Sequence, residues 1–164
     1  MASTLQLLGA ILLPNVGGIF IGAVFNPKRT NFYDNLKKPS WNPPSWVFAP
    51  AWTTLYSSMG YASYLIWKNG GGSEDANLAL TVYAAQLLVN WAWSIMFFGL
   101  ESTKLGLVNF SILIPLVIAC THCFFVVNTT AGLLMVPYIL WLSFAVFLNY
   151  TIHVLNKKSE KARK

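Results

Sequence analysis

Charge is what this chain has least of. Only 10% of its 164 residues are Asp, Glu, Lys or Arg, against about 25% in an ordinary soluble domain. Five runs contain none of these four residues: Leu5–Phe25, Trp46–Trp67, Leu78–Phe98, Leu105–Val127 and Leu133–Leu155. Each is about 21–23 residues long, and a helix of that length crosses about 30 Å of hydrocarbon. One charge at the centre of such a helix costs about 2.5–3.5 kcal/mol, so five uncharged runs are a selected pattern. A soluble protein this short has too little polar chain to wrap five all-apolar helices. The sequence predicts an all-α integral membrane protein: a five-helix transmembrane bundle over residues 1–156 and a basic tail over 157–164. Leu5–Phe25 is read as a retained first span, because it is too long for a signal-peptide core and Pro14-Asn15 interrupts it.

The other absences exclude chemistry. No carboxylate or lysine lies inside a run, so a proton relay, ion coupling or voltage sensing has no residues to use. Cysteine occurs twice, as Cys120 and Cys123 on one predicted helix, which is no disulfide framework. With His122 between them, these three point to different faces and have no fourth partner, so no metal and no cofactor is expected. There is no Ser-His-acid set, phosphate loop or carboxylate pair, and the chain reads more readily as a binding protein than as an enzyme. The formal net charge is +6, but once loops and tail are assigned no basic surface is left for nucleic acid.

Where charge does occur, it is sorted. Lys28, Arg29, Lys37 and Lys38 fall in the first connection and Lys104 in the third, while Lys157, Lys158, Lys161, Arg163 and Lys164 fall in the tail. Lys68 stands alone on the other side. The positive-inside rule then puts the C-terminus in the cytosol and the N-terminus outside or in a lumen.

Three connections are short and the first, residues 26–45, is not. It contains "KKPSWNPPSW", rich in proline and tryptophan, which argues against disorder. Asn42 is the expected N-cap of the second span and Pro43 its first helical residue. Lys38 precedes Pro39 and must be extended, so the segment is a stiff strap. Two readings stand side by side: an interfacial anchor through Trp41, Trp46 and the lysines, or a lid over one end of the bundle.

Inside the spans, polar and aromatic residues recur at helical spacing. Span 3 lines up Tyr83, Gln86, Asn90, Trp93 and Phe97. Span 2 offers Ala49, Trp52, Tyr56, Gly60 and Ser63, and span 5 Tyr138, Trp141, Ala145, Leu148 and Ile152. Amides are costly in hydrocarbon, so Gln86 and Asn90 should face the interior. Such stripes, with the Gly18-xxx-Gly22 pair, can be helix–helix packing, or the wall of an apolar pocket with a few hydrogen bonders. Pro14, Pro50, Pro115 and Pro137 predict kinks.

Three segments, "FYDNLKKPSWNPPSWVFAPAWTTLYSSMGY", "YAAQLLVNWAWSIMFFG" and "VPYILWLSFAVFLNY", resemble the translocator protein family, which comprises the peripheral benzodiazepine receptors and the bacterial tryptophan-rich sensory proteins. The resemblance runs through essentially the whole chain. It implies a five-helix bundle, usually dimeric, which in animals lies in the outer mitochondrial membrane with a cytosolic C-terminus. It further implies binding of cholesterol, of porphyrins such as protoporphyrin IX, and of benzodiazepine- or isoquinoline-type drugs, in a pocket beneath the first loop. This favours the lid reading of the strap. Carried over by motif, the pocket residues are Ala23, Trp41, Phe48, Ala49, Trp52, Asn90, Trp93, Ile112, Ala145 and Leu148. Members that degrade porphyrin in light implicate the tryptophans matching Trp52 and Trp141, which gives an enzymatic alternative; a scaffold for partner proteins at the mitochondrial surface is another. The family's sterol-recognition pattern is only a remnant here. Leu148 and Tyr150 are in place, but Val154 stands where a basic residue is needed and Lys157 comes one position too late. A reversed pattern, Arg29–Phe32–Leu36, lies in the first loop.

Overall fold

The structure is a computed structural model that describes residues 2–25 and 31–161, with side chains described from residue 3 to residue 157. The described residues are all helix and connection. Helix α1 covers Ala2–Val24, α2 is a single turn at Phe32–Asn35, α3 covers Ser45–Gly70, α4 Glu74–Ser94, α5 Thr103–Val127 and α6 Thr129–Lys161. Four of them are long and apolar enough to cross a membrane: Ser3–Val24, Glu74–Gly99, Thr103–Val127 and Thr129–Lys157. The chain is therefore a multi-pass membrane protein. At 26 residues α3 has the length but no stretch as apolar as those four; it touches α1, α4, α5 and α6 and buries Leu55, Met59, Ala62, Ser63 and Ile66 among them.

The helix ends follow local chemistry. Ser73 caps α4 by accepting from Ala76 N (3.2 Å), and Ser102 caps α5 by accepting from Leu105 N (3.2 Å). Asn128 Oδ1 accepts from Ala131 N at 2.9 Å to start α6 one residue after α5 ends. Gly71, left-handed at φ 54°, stops α3. Each of the four intramembrane prolines lies inside a continuous helix. Helix α6 continues to Lys161, so the first residues of the predicted tail extend the last helix.

The start of α3 differs from expectation. Pro44, at φ −56° and ψ 144°, is its N-cap, and Asn42 caps nothing. A residue before proline is driven out of the helical region. Pro43 precedes Pro44, so the helix cannot begin until Pro44 is passed. Asn42 Nδ2 instead donates to Pro43 O at 3.0 Å, and Asn42 N to Pro39 O at 3.0 Å, folding the strap back on itself. Nor is the strap extended throughout, since Phe32–Asn35 forms a helical turn.

Around the bundle, α4 packs on α5, α5 on α6, α6 on α3, α3 on α1 and α1 on α4. Helix α1 is the most peripheral: Leu5, Ile19 and Phe20 are open to the surroundings. Its hold on α3 rests on close approach. A Cβ at Gly60 would overlap the carbonyl O of Ala10 and lie 2.8 Å from Ile11 Cα. Pro14 has no N–H to offer that carbonyl, which leaves it free to face Gly60. Asn15 Nδ2 spans the same seam, donating to Ile11 O (2.9 Å) and to Ser57 Oγ (3.2 Å). Of the glycine pair singled out in α1, Gly18 lies against the Tyr56 ring, whereas nothing is within 4 Å of a Cβ at Gly22.

Candidate functional site

Between α3, α4 and α6 runs a chain of neutral polar groups. Tyr56 Oη donates to Asn90 Oδ1 at 2.7 Å, Asn90 Nδ2 donates to Tyr138 Oη at 2.8 Å, and Tyr138 Oη donates to Gln86 Oε1 at 3.1 Å. Gln86 Nε2 faces the sulfur of Met59 at 4.0 Å. Asn90, Gln86 and Tyr138 are buried. Each amide in this apolar core has a partner, which lowers the cost of its burial, and the stripe predicted on span 3 does face inward.

Aromatic rings stand above this chain. Trp52 lies against Tyr56 (5.3 Å between centroids), Tyr138 (6.3 Å) and, edge-on at 86°, Trp141 (6.4 Å). Phe48 meets Trp141 at 6.1 Å and Trp141 meets Phe144 at 5.5 Å. A second group surrounds Trp93, which stacks on Phe97 at 4.7 Å and touches Phe98 and Phe110. Residues Ile95–Gly99 form a π turn closed by Leu100 N donating to Ile95 O at 2.8 Å. Its wider turn presents Phe97 and Phe98 to the strap, where Phe32 meets Phe97 at 5.9 Å and Tyr33 meets Phe98 at 5.8 Å.

The strap is fastened on the other side as well. Trp41 stacks on Phe147 (5.2 Å, 14°) and meets Phe144 edge-on at 6.1 Å. Asn156 grips the strap backbone through both ends of its amide. Tyr33 Oη lies within 3.5 Å of Asn42 Oδ1, and the Lys38 ammonium sits 4.4 Å from the Tyr33 ring centroid. Trp46, by contrast, is 73% exposed. Of the two strap tryptophans, Trp46 faces outward and Trp41 lies across α6.

Not every residue carried over by motif converges here. Phe48, Trp52, Asn90, Trp93, Ala145 and Leu148 lie in or against the core, and Trp41 lies over α6. Ala23 and Ala49 are exposed, and Ile112 is 52% exposed on the outside of α5. Of the sterol-pattern remnant, Leu148 is buried while Tyr150 and Lys157 are exposed; Arg29 of the reversed pattern and Lys28 lie outside the described residues. On α5, Cys120 is buried and His122 exposed, on different faces.

The sequence reading missed a polar group at the strap end. Asn149 Nδ2 donates to Thr103 O at 3.2 Å, and Thr103 Oγ1 lies 2.9 Å from His153 Nδ1. A Cβ at Gly106 would lie 3.0 Å from Asn149 Nδ2 and 3.2 Å from Trp93 Nε1. The available signal was the i, i+4 spacing of Asn149 and His153. Among the described residues, Trp93 Nε1, Trp141 Nε1 and Asn149 Oδ1 are buried with no hydrogen-bond partner.

An uncharged helical bundle with an amide-bearing aromatic interior and a fastened strap defines a polytopic membrane protein organised around its own core. The TspO/MBR family profile matches residues 10–155, and the chain belongs to that family. It is 42% identical to the translocator protein of Sus scrofa over 149 residues, 90% of this chain and 88% of that one. It is 42% identical to the translocator protein of Homo sapiens over 147 residues, 88% and 86% of the two chains. To the tryptophan-rich protein TspO of Chlorobaculum tepidum it is 41% identical over 138 residues, 84% and 87%. Membership supports a role as a membrane receptor or transporter.

Proposed function

We propose that the protein is a receptor or carrier for flat hydrophobic molecules, held between α3, α4 and α6 beneath the strap. The ligands are porphyrins such as protoporphyrin IX, sterols, and benzodiazepine- or isoquinoline-type compounds. The observation that carries this reading is the pairing of an aromatic wall, Trp52, Trp93 and Trp141, with buried unpartnered polar atoms, Trp93 Nε1, Trp141 Nε1 and Asn149 Oδ1. Rings give a flat ligand its contact area, and a few donors and acceptors orient it. A ligand enters by displacing these rings, with the strap as the element that opens. The broken pattern at Val154 removes one argument for sterol but leaves the aromatic wall intact.

In this reading α3 is the fifth span of a single domain, with the C-terminus cytosolic as the basic residues sort. The protein resides in the outer mitochondrial membrane as a homodimer. Saturable quenching of tryptophan fluorescence by protoporphyrin IX in liposomes tests the site. Trp52→Phe and Ala145→Phe should each weaken binding, and unchanged affinity in both would remove the site from α3 and α6.

A second reading is favoured by one distance. Trp52 and Trp141 lie 6.4 Å apart, close enough to share an electron vacancy during light- and oxygen-dependent porphyrin degradation. Irradiating the protoporphyrin complex in air distinguishes this from simple binding. Loss of the porphyrin band with an isolable product, abolished by Trp→Phe at both positions, would establish catalysis.

A further inference from the structure

The end of α3 remote from the strap carries a cavity that has no part in the site above. Ser3 and Gln6 of α1 form one side, Tyr64, Trp67 and Lys68 of α3 the other, and Gly71 and Gly72 the rim, around about 430 Å³. Both glycines have positive φ, 54° and 79°, and among the described residues neither N–H is given to a backbone carbonyl. Consecutive N–H groups in such a turn form a concavity that suits an oxyanion. The Lys68 ammonium lies 5.9 Å from the Tyr64 ring centroid and has no ion-pair partner among the described residues. Side-chain hydroxyl, amide and ammonium donors therefore face one space.

The charges nearby narrow the ligand. Glu74 and Asp75 open α4 directly after the glycine turn, and both are exposed. Neither carboxylate lines the cavity, but both follow its rim in the chain, so a purely anionic group is attracted by Lys68 and opposed by the two carboxylates nearby, and a simple cation is opposed by Lys68. A dipolar group, phosphate at one end and ammonium at the other, matches both signs. The aromatic content agrees, since Tyr64 and the 48%-exposed Trp67 offer ring faces to an ammonium. The cavity sits at the N-terminal end of membrane-crossing α1 and the start of membrane-crossing α4, where headgroups lie.

We propose that this cavity binds the headgroup of a zwitterionic phospholipid. The phosphodiester is held by Lys68 and the Gly71–Gly72 turn, and the ammonium by the Tyr64 and Trp67 rings in the field of the neighbouring Glu74 and Asp75.

The test uses the full chain in nanodiscs of equal phosphatidylcholine and phosphatidylglycerol, released into mild detergent and weighed by native mass spectrometry. Wild type should retain phosphatidylcholine over phosphatidylglycerol. Lys68→Gln should reduce that retention roughly five-fold, as expected for one basic residue at the membrane surface, and Lys68→Arg should restore most of it. The double change Glu74→Gln, Asp75→Asn should shift preference toward phosphatidylglycerol. Soluble glycerophosphocholine at millimolar concentration should not displace the retained lipid, because the acyl chain supplies much of the affinity. Equal retention by wild type and Lys68→Gln would overturn the proposal, as would full displacement by glycerophosphocholine, which would mark a site for soluble phosphodiesters. Protoporphyrin quenching in the same samples reports folding. If Lys68→Gln loses it, Lys68→Arg and the acidic double variant decide the matter.

Discussion

Asn156 of α6 pairs with the backbone of Lys37 as one strand pairs with another. Lys37 N donates to Asn156 Oδ1 at 3.0 Å, and Asn156 Nδ2 donates back to Lys37 O at 3.1 Å. Only an amide side chain supplies acceptor and donor together at this reach. The strap is thereby tied to the last helix across 119 residues of sequence.

Asn156→Leu removes both bonds. At an exposed position each is worth about 0.5 kcal/mol, so protoporphyrin dissociation should accelerate about five-fold, with little change in the association rate. Asn156→Asp keeps the acceptor and should fall between. Stopped-flow recovery of tryptophan fluorescence measures this, and identical release rates in all three proteins would show that the strap does not control exit.

Asn90 bridges Tyr56 and Tyr138, so Asn90→Leu strands the Tyr56 hydroxyl in the core and leaves Tyr138 only its bond to Gln86. The loss should be about 1–3 kcal/mol, seen as an earlier midpoint of thermal unfolding in detergent. Tyr56→Phe removes a single bond and should cost less, since the freed Asn90 oxygen is the one group left unpaired.

Gly60 and Gly22 offer a matched comparison. Gly60→Ala drives a methyl group into the Ala10 carbonyl and should cost about 1–3 kcal/mol as overpacking. At Gly22 a Cβ meets nothing within 4 Å, so Gly22→Ala should be neutral or slightly stabilising through helix propensity. Equal effects of the two changes would refute the close approach of α1 and α3.

Burial raises the Tyr33 phenol above its usual range of about 10, with Asp34 adding to the rise and the Asn42 contact opposing it. The folded state therefore holds this proton more tightly than the unfolded chain. The linked stabilisation is fully present below the ordinary tyrosine range and is lost as pH rises through the raised value. Strap opening should show no Tyr33-dependent change from pH 6 to 9 and should ease above pH 10. Release rates measured across that range in wild type and Tyr33→Phe would show it, the variant lacking the alkaline rise.

Much of this architecture is legible in the residues. Uncharged runs locate the long helices to within a few residues, and the spacing Tyr83, Gln86, Asn90, Trp93, Phe97 identifies the inward face of α4. The start of α3 is legible too, since Pro43 precedes Pro44 and is driven out of the helical region. Other features depend on tertiary context. The π turn at Ile95–Gly99 has no local signature, because it exists to fit Phe97 and Phe98 against the strap. Ala23, Ala49 and Ile112 are small or aliphatic residues among apolar neighbours in sequence, where no contrast between faces tells inside from outside. Asn149 and His153 share one face of α6 by spacing, but their partner Thr103 lies on α5 and no local pattern links the two helices.

The π turn also acts as a phase shifter. A regular helix advances about 100° per residue, so the one surplus residue in Ile95–Gly99 sets the rotation of the rings beneath Phe32 and Tyr33. Lengthening or shortening any other connection moves loops and spares the register of the helices. Excising a single residue here would swing Phe97 and Phe98 around the axis and take from Phe32 and Tyr33 their aromatic partners, while Trp41 kept its stack on Phe147.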